Sequence, residues 1–109
     1  MLNLCYYLQY AMFRQLDRAG KHDEYIRARR TMTKYRSDEI LGAVDTMVGL
    51  NDKNIPELMA VGLNFKGKLN TNEIHYMGHS FGGASAFHAA HRRGRVPTSV
   101  IAHDVSIPE

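Results

Sequence analysis

The stretch "EIHYMGHSFGGASAFHAAH", residues 73–91, constrains the fold of this chain more than any other. It opens as a short apolar run, passes through Gly-x-Ser-x-Gly (Gly78, His79, Ser80, Phe81, Gly82), and continues in small residues at helical spacing. Residues 73–78 read as a strand, and Phe81 to Arg92 as a helix broken by Gly94 and Pro97. "TSVIAHD", residues 98–104, is rich in β-branched residues and reads as a second strand ending on the carboxylate of Asp104. Strand, helix, strand makes a β-α-β unit whose two strands should lie parallel. An α/β class follows, with the turn between Gly78 and Gly83 at its centre.

That turn has a chemical reading. A serine hydroxyl is a poor nucleophile until geometry and a base assist it. A sharp strand-to-helix elbow supplies the geometry by pushing the serine above the sheet edge. Gly78 and Gly82 are expected to be small because a side chain at either would meet the neighbouring strand or helix. Ser80 then sits at a helix N-terminus, where free N–H groups and the helix dipole favour negative charge. The N–H of Phe81 is thereby placed as one donor of an oxyanion hole. Ala84, Ser85, Ala86, Ala89 and Ala90 keep the helix slim enough to lie close against a sheet.

The rest of the chain is of a different texture. Leu4, Leu8, Met12 and Leu16 form a helical stripe over residues 2–18, with Cys5, Ala11 and Phe13 beside it, and Ala19-Gly20 stops it. A second helix should run from near Asp23 towards Leu50, with Ile40, Val44, Met47 and Val48 on one apolar face. Residues 1–50 are therefore read as helical. From 51 to 72 the chain is loop-rich, broken by Pro56, Gly62 and Gly67, with one helical turn at Pro56 to Ala60. Residues 73–109 hold the strand, elbow, helix and strand. At 109 residues the whole is at most one small domain.

Composition narrows the function. Fourteen Lys and Arg against eleven Asp and Glu leave a net charge of only +3. The clusters Arg27-Ala28-Arg29-Arg30 and Arg92-Arg93-Gly94-Arg95 read as solvated helix ends, without the interleaved aromatics of a nucleic-acid surface. A nucleic-acid partner is not expected. The single cysteine allows no internal disulfide. The apolar N-terminus lacks a basic leader and a cleavage site, is too short to span a bilayer, and reads as a core-facing helix; a cytoplasmic location is weakly favoured. His88 and His91 could share a helix face, but no third ligand stands at a recognisable spacing, so neither a metal nor a cofactor is expected.

"MGHSFGGAS" resembles the elbow of the platelet-activating factor acetylhydrolases, calcium-independent phospholipases of α/β-hydrolase fold, with Ser85 where the family usually has threonine. The resemblance extends back through "FKGKLNTNEIHYMGHS" and into "RRTMTKYRSDEILGAVDTMVGLN", where Arg29, Arg36 and Glu39 match family positions. It extends forward through "SVIAHD", which makes Asp104 the matching triad acid. After Asp104 the family usually has a tryptophan, and this chain has none. The resemblance implies a partial α/β-hydrolase that cleaves a short or oxidised sn-2 acyl ester of a phospholipid, with Ser80 as nucleophile. It also implies contact with a membrane or lipoprotein surface. Another lipase or carboxylesterase of the same fold, or a non-catalytic hydrolase-like binding protein, stays open beside it.

In such enzymes the triad follows the order serine, acid, histidine along the chain. No histidine follows Asp104, and no early strand precedes the elbow to carry a second oxyanion donor. Of the histidines present, His75 lies in the first strand, His88 and His91 run away from Ser80 along the helix, His79 occupies the variable elbow position, and His103 alternates in face with Asp104. None is expected to be the base. The chain therefore reads as a single incomplete domain, an internal piece of a longer hydrolase or a truncated one, inactive alone.

Overall fold

The computed structural model describes residues 11–92 and 96–105. Helix α1 covers residues 11–18. Leu4, Cys5, Leu8, Arg93, Gly94 and Arg95 lie outside the described residues, so the start of the expected stripe and all of the second basic cluster but Arg92 do too. Helix α2, His22–Asp52, is 31 residues long and starts with Asp23 and Glu24 in its first turn, where acids complement the dipole. Helix α3, Pro56–Ala60, begins on a proline, which costs an N-terminal turn nothing. Strand β1 is His75–His79, helix α4 is Phe81–His91, and strand β2 is Ser99–His103.

The strands pair in parallel, from His75 opposite Ser99 to His79 opposite His103. The β-α-β unit is thus as the residue pattern requires, and the mixed helical and parallel-strand class holds. Strand β1 starts two residues later than the apolar pattern suggests. Glu73 is held in a turn: its carboxylate accepts from Asn70 Nδ2 at 3.1 Å, and the Asn72 N–H donates to Asn70 Oδ1 at 3.3 Å. The loop before it is tied to the end of α2 by Asn51, whose backbone carbonyl accepts from Gly67 N–H at 2.8 Å and whose side chain accepts from Leu69 N–H at 2.9 Å.

The core sits between α2, α4 and one face of the sheet. Val44, Tyr76, Ala86 and Ala89 are buried together, with Ile40, Leu41, Ile74, Ala90 and Val100 packed around them. Burying Tyr76 beneath a helix of alanines is what draws α4 flat onto the strands. Met47, expected on the apolar face of α2, is instead 48% exposed. The helix turns 100° per residue, so Val44 and Ile40 centre the stripe and Met47 falls to its edge. On the other face of the sheet, Met77 and Ile101 oppose one another in register, 75% and 52% exposed. That face has no cover among the described residues, whereas parallel strands ordinarily need both faces covered.

Candidate active site

Ser80 stands between β1 and α4 with φ 55° and ψ −118°. That backbone region is strained for any residue but glycine and persists only where the surroundings over-determine it. Serine is also among the best N-cap residues, yet the Ser80 side chain makes no capping hydrogen bond to its own helix. A cap would need extended backbone, and the turn denies it. The hydroxyl stays uncommitted at the crest, half-buried.

Three contacts hold the turn. The Ser80 N–H donates to His103 O at 2.9 Å, carrying the ladder one residue past the strands. The Ser80 carbonyl accepts from Gly83 N–H at 3.0 Å and Ala84 N–H at 3.4 Å, starting α4. Gly78 lies directly beneath: a methyl there would be 2.1 Å from the Gly82 carbonyl oxygen. Phe81 is the first residue of α4, and its N–H is among those that a helix leaves without an internal acceptor.

The two small elbow positions are not equivalent, which corrects the expectation for Gly82. Among the described residues, a methyl at Gly82 would have nothing within 4 Å outside its own helix. Gly83, beyond the five-residue pattern, is the confined one, with the Ala102 methyl, the Gly78 carbonyl and a Val105 methyl each 3.3 Å from where its side chain would begin. The strand-side glycine supports the first turn of the helix. The helix-side one points away from it.

Asp104 immediately follows β2, exposed, with φ 53°, a left-handed conformation that aspartate tolerates better than most residues. Because Ser80 N–H is bonded to the residue before it, Ser80 and Asp104 are brought to neighbouring strand ends. The histidines go elsewhere. His75 Nδ1 meets Ser99 Oγ at 2.7 Å on the open face, and His91 Nδ1 bonds Phe87 O at 2.8 Å. His79 and His103 stack on one another with ring centres 5.4 Å apart. Among the described residues no histidine is hydrogen-bonded to Ser80. Nor is any group of three or more His, Cys, Asp or Glu gathered there to hold a metal ion. A shallow cleft of about 450 Å³ lies along α2 at Arg30, Lys34 and Tyr35, away from the crest.

A family model described as platelet-activating factor acetylhydrolase, isoform II, matches residues 11–106. The chain belongs to this family. Neither the curated proteins nor the solved structures contain a match. As a member of the platelet-activating factor acetylhydrolase family, the chain is a phospholipase- and esterase-related hydrolase domain. No helix among its described residues is long and apolar enough to cross a membrane.

Two parts of the arrangement escape a residue-by-residue reading. Arg29 does not sit with the solvated cluster assigned to it: its guanidinium lies 5.2 Å from the Phe81 ring centre and 5.6 Å from that of Tyr25. Arg92 likewise turns inward, pairing with Asp38 and donating to Ser37 Oγ at 3.3 Å. Ser37 is fully buried; it donates to Lys34 O at 2.8 Å and meets His88 Nδ1 at 2.9 Å. A hydroxyl has one proton and two lone pairs, so once Ser37 donates to Lys34 O, His88 must be the donor in its pair. His88 is thus part of the α2–α4 contact, not a bystander on the helix surface. The match of Arg29 to a family position was the one sequence signal for the first feature. Ser37 gave none.

Proposed function

We propose that this chain carries the nucleophile elbow of a serine esterase of α/β-hydrolase fold, hydrolysing the short or oxidised sn-2 acyl ester of a phospholipid. The observation that supports it best is Ser80: strained backbone, no cap, hydroxyl at the crest of a strand-to-helix turn. A fold maintains such a conformation at a cost of about 1–3 kcal/mol, and here it leaves the hydroxyl free instead of using it as a cap.

In the mechanism, Ser80 Oγ attacks the ester carbonyl carbon and its proton passes to a histidine. The carbonyl oxygen becomes an oxyanion that the Phe81 N–H stabilises, helped by the N-terminal end of the α4 dipole. The intermediate collapses as the histidine protonates the departing lysophospholipid oxygen, leaving an acyl-serine. Water activated by the same histidine then releases the acid. Asp104, one strand end away, orients that histidine and stabilises its charged form. None of the six histidines here bonds Ser80, so we assign the base to sequence beyond this stretch. The substrate would be met at a membrane or lipoprotein surface.

Ser80→Ala should abolish hydrolysis of a 2-acetyl phospholipid while leaving the far-UV spectrum and the melting temperature within a few degrees of the parent. Undiminished turnover in that variant would reject the assignment. Loss of turnover together with a preference for long over acetyl chains would favour a general lipase or carboxylesterase. A fluorophosphonate probe that never labels Ser80, in the protein with its full flanking sequence, would favour the non-catalytic binding protein.

A further inference from the structure

The elbow is braced from a helix fifty residues away. Arg29, half-buried on α2, donates from Nη1 to the Tyr25 hydroxyl at 2.8 Å and lays its guanidinium against both the Tyr25 and Phe81 rings. Both separations fall inside the roughly 6 Å range over which a cation is attracted to an aromatic face. Tyr25 is itself held edge-on by Phe13 of α1, ring centres 6.0 Å apart. The guanidinium carbon stands over both rings, and a cation over a ring favours the tilt that keeps the ring's face towards it.

Phe81 is the residue whose ring is fixed, and it comes directly after the strained Ser80. Its side chain and the N–H assigned to the oxyanion share one Cα, so holding the ring limits how far that N–H can swing. From below, Gly78 and the His103 carbonyl limit the turn. On the α2 side the Phe81 ring reaches across to Arg29. We propose that Arg29 is a positioning residue: acting through the Phe81 ring, it holds the Ser80 turn and the Phe81 N–H in register for the oxyanion. The catalytic half of this rests on the Ser80 reading above, whereas the brace itself does not. Geometry matters here because displacements of about 1 Å at a reacting centre can cost on the order of a hundredfold in rate.

The test is a cycle of Arg29→Met, Phe81→Leu and the double variant, with Arg29→Lys as a milder change that keeps the charge but loses the guanidinium. Amide hydrogen exchange at Ser80 and Gly83, whose N–H groups hold the turn, should quicken about tenfold in Arg29→Met while Ala89 in the same helix is unchanged. Arg29→Lys should move the same amides in the same direction by less. In the Phe81→Leu background, Arg29→Met should add nothing further. In the protein with its full flanking sequence, turnover of p-nitrophenyl acetate, counted per site titrated with fluorophosphonate, should fall about tenfold in kcat with KM unchanged. Exchange that rises evenly along α4, or not at all, overturns the proposal, as does an Arg29 effect that persists undiminished without the Phe81 ring. Unchanged kcat per site beside faster exchange overturns the positioning role. Hydrolysis that survives Ser80→Ala sinks the serine reading instead, and the exchange comparison, which needs no turnover, still decides whether Arg29 braces the turn.

Discussion

A methyl group at Gly78 would lie 2.1 Å from the Gly82 carbonyl oxygen, 2.3 Å from its carbon and 2.6 Å from the Gly83 nitrogen. Comfortable carbon contacts are about 3.5 Å or more, so α4 would have to retreat by more than about 1 Å. All three colliding atoms are backbone, and no rotamer change can clear them. A retreat of α4 loosens Ala86 and Ala89, both fully buried against the sheet. Overpacking ordinarily costs about 1–3 kcal/mol, and a backbone collision of this depth belongs at or beyond the upper end. At about 4–8 °C per kcal/mol for a domain of this size, Gly78→Ala should lower the melting temperature by roughly 12 °C or more, or leave the elbow unformed. Gly82→Ala has open space and a helical backbone, and replacing a helical glycine by alanine contributes about 0.5–1 kcal/mol. Its melting temperature should rise by a few degrees. Thermal unfolding of both variants by circular dichroism, with urea midpoints alongside, gives the comparison. Equal losses from the two substitutions, or a Gly78→Ala protein within about 1 kcal/mol of the parent, would refute the asymmetric elbow.

Three shorter predictions follow from other contacts. Ser80→Gly should relieve the positive φ and raise stability by about 1 kcal/mol while removing ester hydrolysis, read by urea unfolding beside a hydrolysis assay; an unchanged midpoint would mean the turn is not strained. Asp104→Asn keeps a residue tolerant of the left-handed backbone, so stability should stay within about 0.5 kcal/mol, while hydrolysis by the protein supplying the histidine should fall by on the order of 10⁴. Ser37→Ala removes the shared partner of His88 and Arg92 between α2 and α4 and should cost about 1–3 kcal/mol in a urea titration, with no change in the labelling of Ser80.

The residue pattern made the β-α-β unit legible because everything that determines it is local: apolar residues before the turn, glycines in it, alanines after it. The long helix was legible for the same reason, its boundaries falling within two residues of the expected Asp23 start and Leu50 end. Position along the motif was less informative than position in space. Gly78 and Gly82 stand symmetrically about Ser80 in the sequence, yet the chain reverses between them, so one lies under the helix and the other on its open side. Gly83, outside the pattern, meets Ala102 and Val105 because β2 returns beneath the first turn of α4.

The features missed are those set by contacts across fifty residues or so. Arg29 and Arg92 count as two more cations in short basic runs, and only the packing of α2 on α4 brings one onto Phe81 and the other onto Ser37 and Asp38. Ser37 reads as an ordinary polar residue in a helix, and its burial depends wholly on what α4 lays over it. A strained turn cannot be maintained by its own five residues, since each of them would relax if unopposed. The motif therefore fixes where the serine stands along the chain, while the distant partners, His103 below and Arg29 alongside, decide whether it stands upright.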